Sequence, residues 1–302
     1  MRRSPLIGVL VLLAAAIAAG QAAPPRVIGG GLPAVSPDGS RIAFVSNRDG
    51  VDDVYVIAAD GTGEKRVTRS AENENGIAWT ADGKRILYAS YSADRGRLYA
   101  MDPDGSNLRQ IAEVPGRTPT LSPDGKRLVY TAGTWTETRL MIAAADGSDA
   151  KRIPLASAIA WNSQWSPDSR RIAFTGRGDA PRGTAIILVN ADGSGERRLT
   201  RLSEAEGKAQ CPAWSPDGRR IALFASAGER DSATSHIWIV DAETGKGEKI
   251  ALHERAYLDE TPCWFPDGKR LAFQSDRTGR MEVWVMNADG TAPRQITGLS
   301  SR

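Results

Sequence analysis

Histidine and cysteine are nearly missing from this chain. Among 302 residues there are two of each: His236 and His253, Cys211 and Cys263. Two histidines on well-separated segments do not make a histidine-rich metal centre. A serine triad would need one of them beside a serine and a carboxylate, and no Gly-x-Ser-x-Gly elbow is present. No catalytic residue, metal or cofactor is therefore assigned. Charge of one sign is also lacking. The 39 basic and 36 acidic residues give +3, and setting aside Arg2 and Arg3 leaves 37 against 36, or +1. That balance gives no reason to expect nucleic acid or an anionic membrane as a partner. Helical periodicity is missing as well: no stretch of the later chain repeats its apolar residues at 3.6.

One apolar run stands out, Leu6 to Ala19, preceded by Arg2 and Arg3 and followed by small residues around Ala18-Ala19-Gly20-Gln21-Ala22. It is short for a membrane-spanning helix, which needs about 20 residues. Residues 1–23 read as a secretory signal peptide, with a retained anchor as the alternative. The mature chain is expected in the periplasm or outside the cell, with no membrane insertion after cleavage. Residues 24–33 read as a Gly/Pro-rich linker containing one possible short strand, Arg26-Val27-Ile28.

The remainder, 34–302, is a repeat array. The stretch Trp214-Ser215-Pro216-Asp217-Gly218 followed by Arg220-Ile221-Ala222-Leu223 reads as a strand, a tight turn and a second strand. Proline presets the turn, and glycine supplies a left-handed residue that closes the hairpin. Variants recur six times, with Pro37, Ala81, Pro123, Pro167, Pro216 and Pro266 at one position, spaced by 44, 42, 44, 49 and 50 residues. A third strand such as Val54-Tyr55-Val56-Ile57, a second turn at Asp60-Gly61 and its copies, and a short fourth strand complete each unit. Four short strands in about 40–45 residues are the blade of a β-propeller. The expected fold is all-β: a six-bladed propeller with four antiparallel strands per blade. The large residues two before the turn proline (Val35, Trp79, Leu121, Trp165, Trp214 and Trp264) are expected to pack between blades as core.

Trp165-Ser166-Pro167-Asp168 and the Trp214–Gly218 run, each followed by an Ile-Ala strand, resemble the repeats of the TolB-like (WD40-like) propeller family. Ser275-Asp276-Arg277-Thr278-Gly279 and Ser46-Asn47-Arg48-Asp49-Gly50 match that family's loop after the second strand. The resemblance covers about residues 34–300. It implies the six-bladed ring and an envelope role through protein binding, the peptidoglycan-associated lipoprotein being the partner of TolB itself. TolB carries an α/β domain ahead of its propeller, and no counterpart is read in residues 24–33.

Two sets of residues are candidates for function. On the turn face, Arg41, Arg85, Arg127, Arg171, Arg220 and Arg270 recur in every unit. They read either as a basic ring or, preferably, as a repeated staple to turn aspartates such as Asp38 and Asp60. On the opposite face the units differ. The residue six before the turn proline is Gly31, Asn75, Arg117, Trp161, Gln210 or Glu260, and nearby loops add Glu72, Glu74, Trp135, Arg177, Arg182, Arg230, His253, Tyr257 and Asp259. Varied polar and aromatic residues on a regular frame mark a binding face. Asn75, Arg117, Trp135, Trp161, Gln210 and Glu260 are the predicted binding residues. Trp135 and Trp161 are the best anchors, because neither occupies a repeated core position.

The cysteines lie on the inner strands of adjacent blades, at offsets that turn each toward the next blade. Two buried free thiols are expected rather than a disulfide. The functional expectation is an exported, monomeric, non-catalytic interaction module whose partner is a protein, an envelope lipoprotein being one candidate. The alternative is a carbohydrate-active or hydrolytic propeller enzyme, with carboxylates such as Asp259 and Glu260 forming an acidic or metal site at the channel mouth.

Overall fold

The computed structural model describes residues 30–70, 72–92, 95–134, 137–178, 183–203, 207–227, 234–250 and 257–298. The signal region, Arg26-Val27-Ile28, Trp135, Arg182, Arg230 and His253 lie outside the described residues. Each repeat forms one antiparallel sheet whose strands follow chain order from the channel outward. Blade 1 is β1 (Gly31–Val35), β2 (Arg41–Ser46), β3 (Asp53–Ala58) and β4 (Lys65–Arg66). Blade 2 is β5 (Glu74–Trp79), β6 (Ile86–Ser92), β7 (Arg95–Met101) and β8 (Arg109–Val114). Blade 3 is β9 (Arg117–Leu121), β10 (Arg127–Gly133), β11 (Thr138–Ala144) and β12 (Lys151–Arg152). Blade 4 is β13 (Trp161–Trp165), β14 (Arg171–Arg177), β15 (Thr184–Asn190) and β16 (Arg197–Arg198). Blade 5 is β17 (Lys208–Trp214), β18 (Arg220–Ala227), β19 (Thr234–Asp241) and β20 (Gly247–Lys249). Blade 6 is β21 (Asp259–Trp264), β22 (Arg270–Ser275), β23 (Glu282–Asn287) and β24 (Arg294–Gln295). The six-bladed ring is as expected, and no described residue is helical.

The repeated turn works as its residues dictate. Gly218 donates its N–H to Ser215 O at 2.9 Å, and Ser215 donates to Arg220 O at 2.8 Å. Gly218 has φ of 68°, the left-handed conformation that costs glycine nothing. Ser169 takes the same place in blade 4 with φ of 60°, so that copy accepts strain that the others avoid. The Asp217 carboxylate is not left for an arginine: it accepts Ser215 Oγ at 2.6 Å and Arg219 N at 3.0 Å.

Core residues sit between blades. Because alternate side chains leave opposite faces of a strand, Ile42 and Phe44 pack toward blade 6 while Ala43 packs toward blade 2. Buried clusters fill all six seams, and Trp165, Trp214 and Trp264 lie within them as expected. The inner strands β1, β5, β9, β13, β17 and β21 touch in that order, and β21 touches β1.

Ring closure requires no exchanged strand, since each blade supplies its own four. The seam between blades 6 and 1 uses the joints of the other seams. Gly30 donates its N–H to Met281 O at 2.9 Å, as Glu74 does to Asp52 O at 3.2 Å between blades 1 and 2. Arg294 donates to Asp60 O and Ala59 O at 2.9 and 2.8 Å, as Arg197 does to Glu243 O at 2.8 Å between blades 4 and 5.

Candidate functional site

The six unrepeated positions at the candidate mouth stand at or near the start of the inner strands: Gly31, Asn75, Arg117, Trp161, Gln210 and Glu260. A feature that sequence reasoning missed follows each of them. The next residue is left-handed in every blade: Leu32 (φ 51°), Gly76 (60°), Thr118 (49°), Asn162 (51°), Cys211 (49°) and Thr261 (49°). At that point each inner strand shifts register against its neighbour. The mouth is therefore a ring of six β-bulges, a device that re-aims side chains and ends pairing. A signal was present in the sequence. Pro33, Pro119, Pro212 and Pro262 follow the left-handed residue in four blades. A proline inside an inner strand marks a backbone position without a ladder hydrogen bond.

The polar groups at this ring fall into two kinds. Some are tied down. Glu260 accepts Ser235 Oγ at 3.2 Å on one carboxylate oxygen and Gln274 Nε2 at 3.0 Å on the other, while Gln274 Oε1 accepts Leu32 N at 3.1 Å. This chain of bonds joins blades 5, 6 and 1. Gln210 donates to Ser226 Oγ at 3.3 Å, and Cys211 N donates to Thr175 Oγ1 at 3.2 Å. Others are buried without a partner: Asn75 Oδ1, Trp161 Nε1, Ser163 Oγ and Thr261 Oγ1. A buried donor or acceptor left unmade costs about 1–3 kcal/mol, so such atoms call for a water or a ligand group.

The carboxylates named as a possible acidic site point apart. Asp259 is fully buried and pairs with Arg277 at 2.8 Å within blade 6. Glu74, at the same repeat position, is 1% exposed and reaches Val54 N at 3.2 Å in blade 1. Glu260 is held by Ser235 and Gln274 as described. Their side chains serve three separate joints between strands. Glu72 also spends its charge locally, accepting Arg97 at 2.9 Å.

The turn-face arginines differ from the staple expected of them. Arg41, Arg127, Arg171 and Arg220 each place the guanidinium 4.6–4.9 Å from the ring centre of the next blade's tryptophan: Trp79, Trp165, Trp214 and Trp264. Serine hydroxyls and backbone N–H groups already hold the turn aspartates, which frees the arginines to stack. Arg270 faces no aromatic on blade 1, where Val35 stands, and it alone of the set donates Nε to its own turn carboxylate, Asp267, at 2.8 Å. Four of the six recurrent arginines, Arg41, Arg127, Arg171 and Arg220, are thus cement between blades, while Arg270 stays within its own blade on Asp267 and over Phe265.

The model of the TolB beta propeller domain matches residues 133–301, more than half of the chain. The chain belongs to the TolB beta propeller family. The model of the tricorn protease N-terminal beta propeller domain matches residues 30–140. A TolB homologue of Chlorobium luteolum is 26% identical over 163 residues, 53% of this chain and 36% of that protein. This TolB-family propeller thus spans about a third of that relative. The crystal structure of TolB from Acinetobacter baumannii superposes with a TM-score of 0.70 at 23% identity, covering 87% of this chain and 65% of that one. An oligogalacturonate lyase in complex with manganese shares the ring with a TM-score of 0.58 at 18% identity, covering 90% and 77%. An enzyme is among the proteins that share this fold, so the ring by itself does not decide function. No helix among the described residues is long and apolar enough to cross a membrane.

Proposed function

We propose that this TolB-family propeller is an exported, non-catalytic module whose channel-mouth face captures a protein partner. The observation that carries the reading is the set of unpartnered polar atoms on the inner strands. Asn75 Oδ1, an acceptor, and Trp161 Nε1, a donor, are buried and unpartnered on half-buried side chains at equivalent positions of blades 2 and 4. Arg117 sits at the equivalent position of blade 3 between them. Aromatic and arginine anchors beside groups that need partners are what a hot spot requires. The dispersal of Glu74, Asp259 and Glu260 to separate joints favours this reading over a carboxylate-based enzyme. The partner class is a protein, with an envelope lipoprotein, implied by the family resemblance, as first candidate. Export rests on the Arg2-Arg3 and Leu6–Ala19 pattern, and the module acts as a monomer in the periplasm or outside the cell.

The test is capture of partners from a periplasmic extract by immobilised wild type, compared with a Trp135→Ala, Trp161→Ala double variant of unchanged circular dichroism. A partner retained by wild type and lost by the variant supports this face. Equal recovery of every partner refutes it.

A further inference from the structure

The seam between blades 1 and 2 buries more carboxylate than cation. Asp53, which opens β3, is fully buried and pairs with Arg66 at 2.5 Å; the same guanidinium reaches Asp49 at 3.2 Å. Across the seam stands Glu74, which opens β5. Its Oε2 accepts Val54 N and meets the Thr68 hydroxyl, while its Oε1 is buried with no partner. Thr68 Oγ1 also accepts Val54 N at 2.7 Å and lies 3.4 Å from Asp53 Oδ1. One hydroxyl proton thus faces two carboxyl groups. Among the described residues no cation pairs with Glu74.

The repeat shows how unusual this is. The same position holds Gly30, Gly116, Ala160, Ala209 and Asp259 in the other blades, and Asp259 has Arg277 to neutralise it. The remaining groups around Glu74 do not supply a base. Asp52, on the loop before β3, contributes a backbone carbonyl to Glu74 N and carries an unpartnered Oδ1 of its own. Tyr88 from β6 is buried and neutral, Ser70 lies on the connection before β5, and Glu72 is satisfied by Arg97 and Ser90.

We propose that Glu74 is a proton latch: as the neutral acid it holds blades 1 and 2 together, and its ionisation loosens that seam. Protonated, Oε2 donates to Thr68 Oγ1, and the Thr68 hydroxyl donates to Asp53, so every proton has an acceptor. Ionised, Glu74 and Asp53 compete for that single proton, and Glu74 Oε1 has no donor from the protein. Burial lifts the Glu74 carboxyl from its ordinary 4.5 to about 7, with Asp53 adding to the rise and the nearby hydroxyls of Thr68 and Ser70 and the Val54 N–H opposing it. The latch contribution is complete below about 4.5 and is lost as pH climbs to about 7, by up to about tenfold in the opening equilibrium per pH unit. Asn75 follows Glu74 directly, so the latch sits beneath the candidate mouth.

Hydrogen exchange read by mass spectrometry tests this, on wild type, Glu74→Gln and Glu74→Ala between pH 5 and 8. The alanine variant has the residue that blades 4 and 5 carry there, so it keeps the test open if the glutamine variant does not fold. After correction for intrinsic rates, wild-type peptides spanning 52–56 and 72–78 should lose protection by several-fold per unit between pH 5 and 7. The variants should be flat between pH 6 and 7, any slope that remains below pH 6 belonging to Asp52, whose carboxyl burial raises from 3.8 to about 6 with Asp53 adding to it, and peptides from the seam between blades 3 and 4 should be flat in all three proteins. A flat wild-type profile overturns the latch. So does an undiminished pH dependence in the alanine variant, which would assign the titration to Asp52.

Discussion

Arg127 stacks its guanidinium over the indole of Trp165 at 4.9 Å and donates to Ser169 O, although the arginine belongs to blade 3 and both partners belong to blade 4. Arg220 repeats the arrangement two blades later, over Trp264 at 4.6 Å and onto Gly268 O at 2.8 Å. In blades 2, 4 and 6 the tryptophan reaches back as well. Trp79, Trp165 and Trp264 donate Nε1 to Ala34 O, Thr120 O and Ala213 O of the preceding blade. A pair of residues drawn from two repeats thus fixes the angle between sheets that share no strand.

Arg127→Ala should cost about 1–2 kcal/mol, combining a cation–π contact with a hydrogen bond from a charged group. Arg85→Ala is the internal control. Arg85 faces Leu121 where Arg41, Arg127, Arg171 and Arg220 face tryptophan, and its Nη1 is buried without a partner, so its loss should cost less than about 0.5 kcal/mol. Arg127→Lys should behave like the alanine variant, since an ammonium keeps the charge and loses the planar stack. Urea denaturation of the three variants measures this, and equal losses for Arg85 and Arg127 would refute it.

These contacts show where sequence reasoning stops. The turn was legible because its chemistry is local: Ser215, Pro216, Asp217 and Gly218 satisfy one another within a few residues. The arginine contact was not, because its charge has nearby aspartates to suggest and a tryptophan of the next repeat to use. The mouth was half legible. Its positions follow from the repeat, but the burial of Glu74 and Asp259 does not. A bulge shifts the phase of an alternating strand, so counting residues back from the turn proline gives the place and not the side.

The bulge ring makes a second prediction. Thr118 and Thr261 hold φ of 49°, where a β-branched side chain is an outlier, whereas Gly76 holds 60° at the same place without strain. Gly76→Ala should destabilise by about 1 kcal/mol through backbone conformation alone. Space is not the reason, because the nearest atom to the added Cβ is Ala89 Cβ at 3.4 Å. Thr118→Gly should be neutral or gain up to about 1 kcal/mol, the relief of strain being set against the larger freedom of glycine in the unfolded chain. Thermal melts of both variants decide it, and a marked loss from Thr118→Gly would show that the hydroxyl is what the site needs.

Cys211 and Cys263 are free thiols as expected, on residues that are half-buried and not fully buried. Burial raises the Cys211 thiol, the Glu260 carboxylate adding to it, and burial also raises Cys263 against a bond from the Val35 backbone. Each side chain senses a residue of the next blade, as alternation on the inner strands predicts. The expected outcome is no reaction with Ellman's reagent in the native state on a timescale of minutes, and two thiols per chain once denatured without reductant. Recovery of none in denaturant would reveal a disulfide.

Acid should weaken the turns one proton at a time. The Asp38 carboxyl is drawn down from 3.8 to about 2 by the Ser36 hydroxyl first, then by the Ser40 N–H and hydroxyl. Asp217 is lowered by the Ser215 hydroxyl, then by Arg219 N–H. A folded-state value below the unfolded one adds stability that is complete above about 4 and disappears as pH falls toward 2. The urea midpoint should therefore fall steeply between pH 4 and 2. Ser215→Ala separates this from general charge repulsion. The serine accepts Arg220 N at 2.9 Å and donates to Asp217 at 2.6 Å, so its loss should cost about 1–2 kcal/mol at pH 6. At pH 2.5 the aspartate is increasingly neutral and its bond from Ser215 is no longer charge-assisted, so the cost should shrink to about half. An equal penalty at both pH values would mean that the serine serves the Arg220 N–H alone, and that the turn carboxylate is not what holds the hairpin against acid.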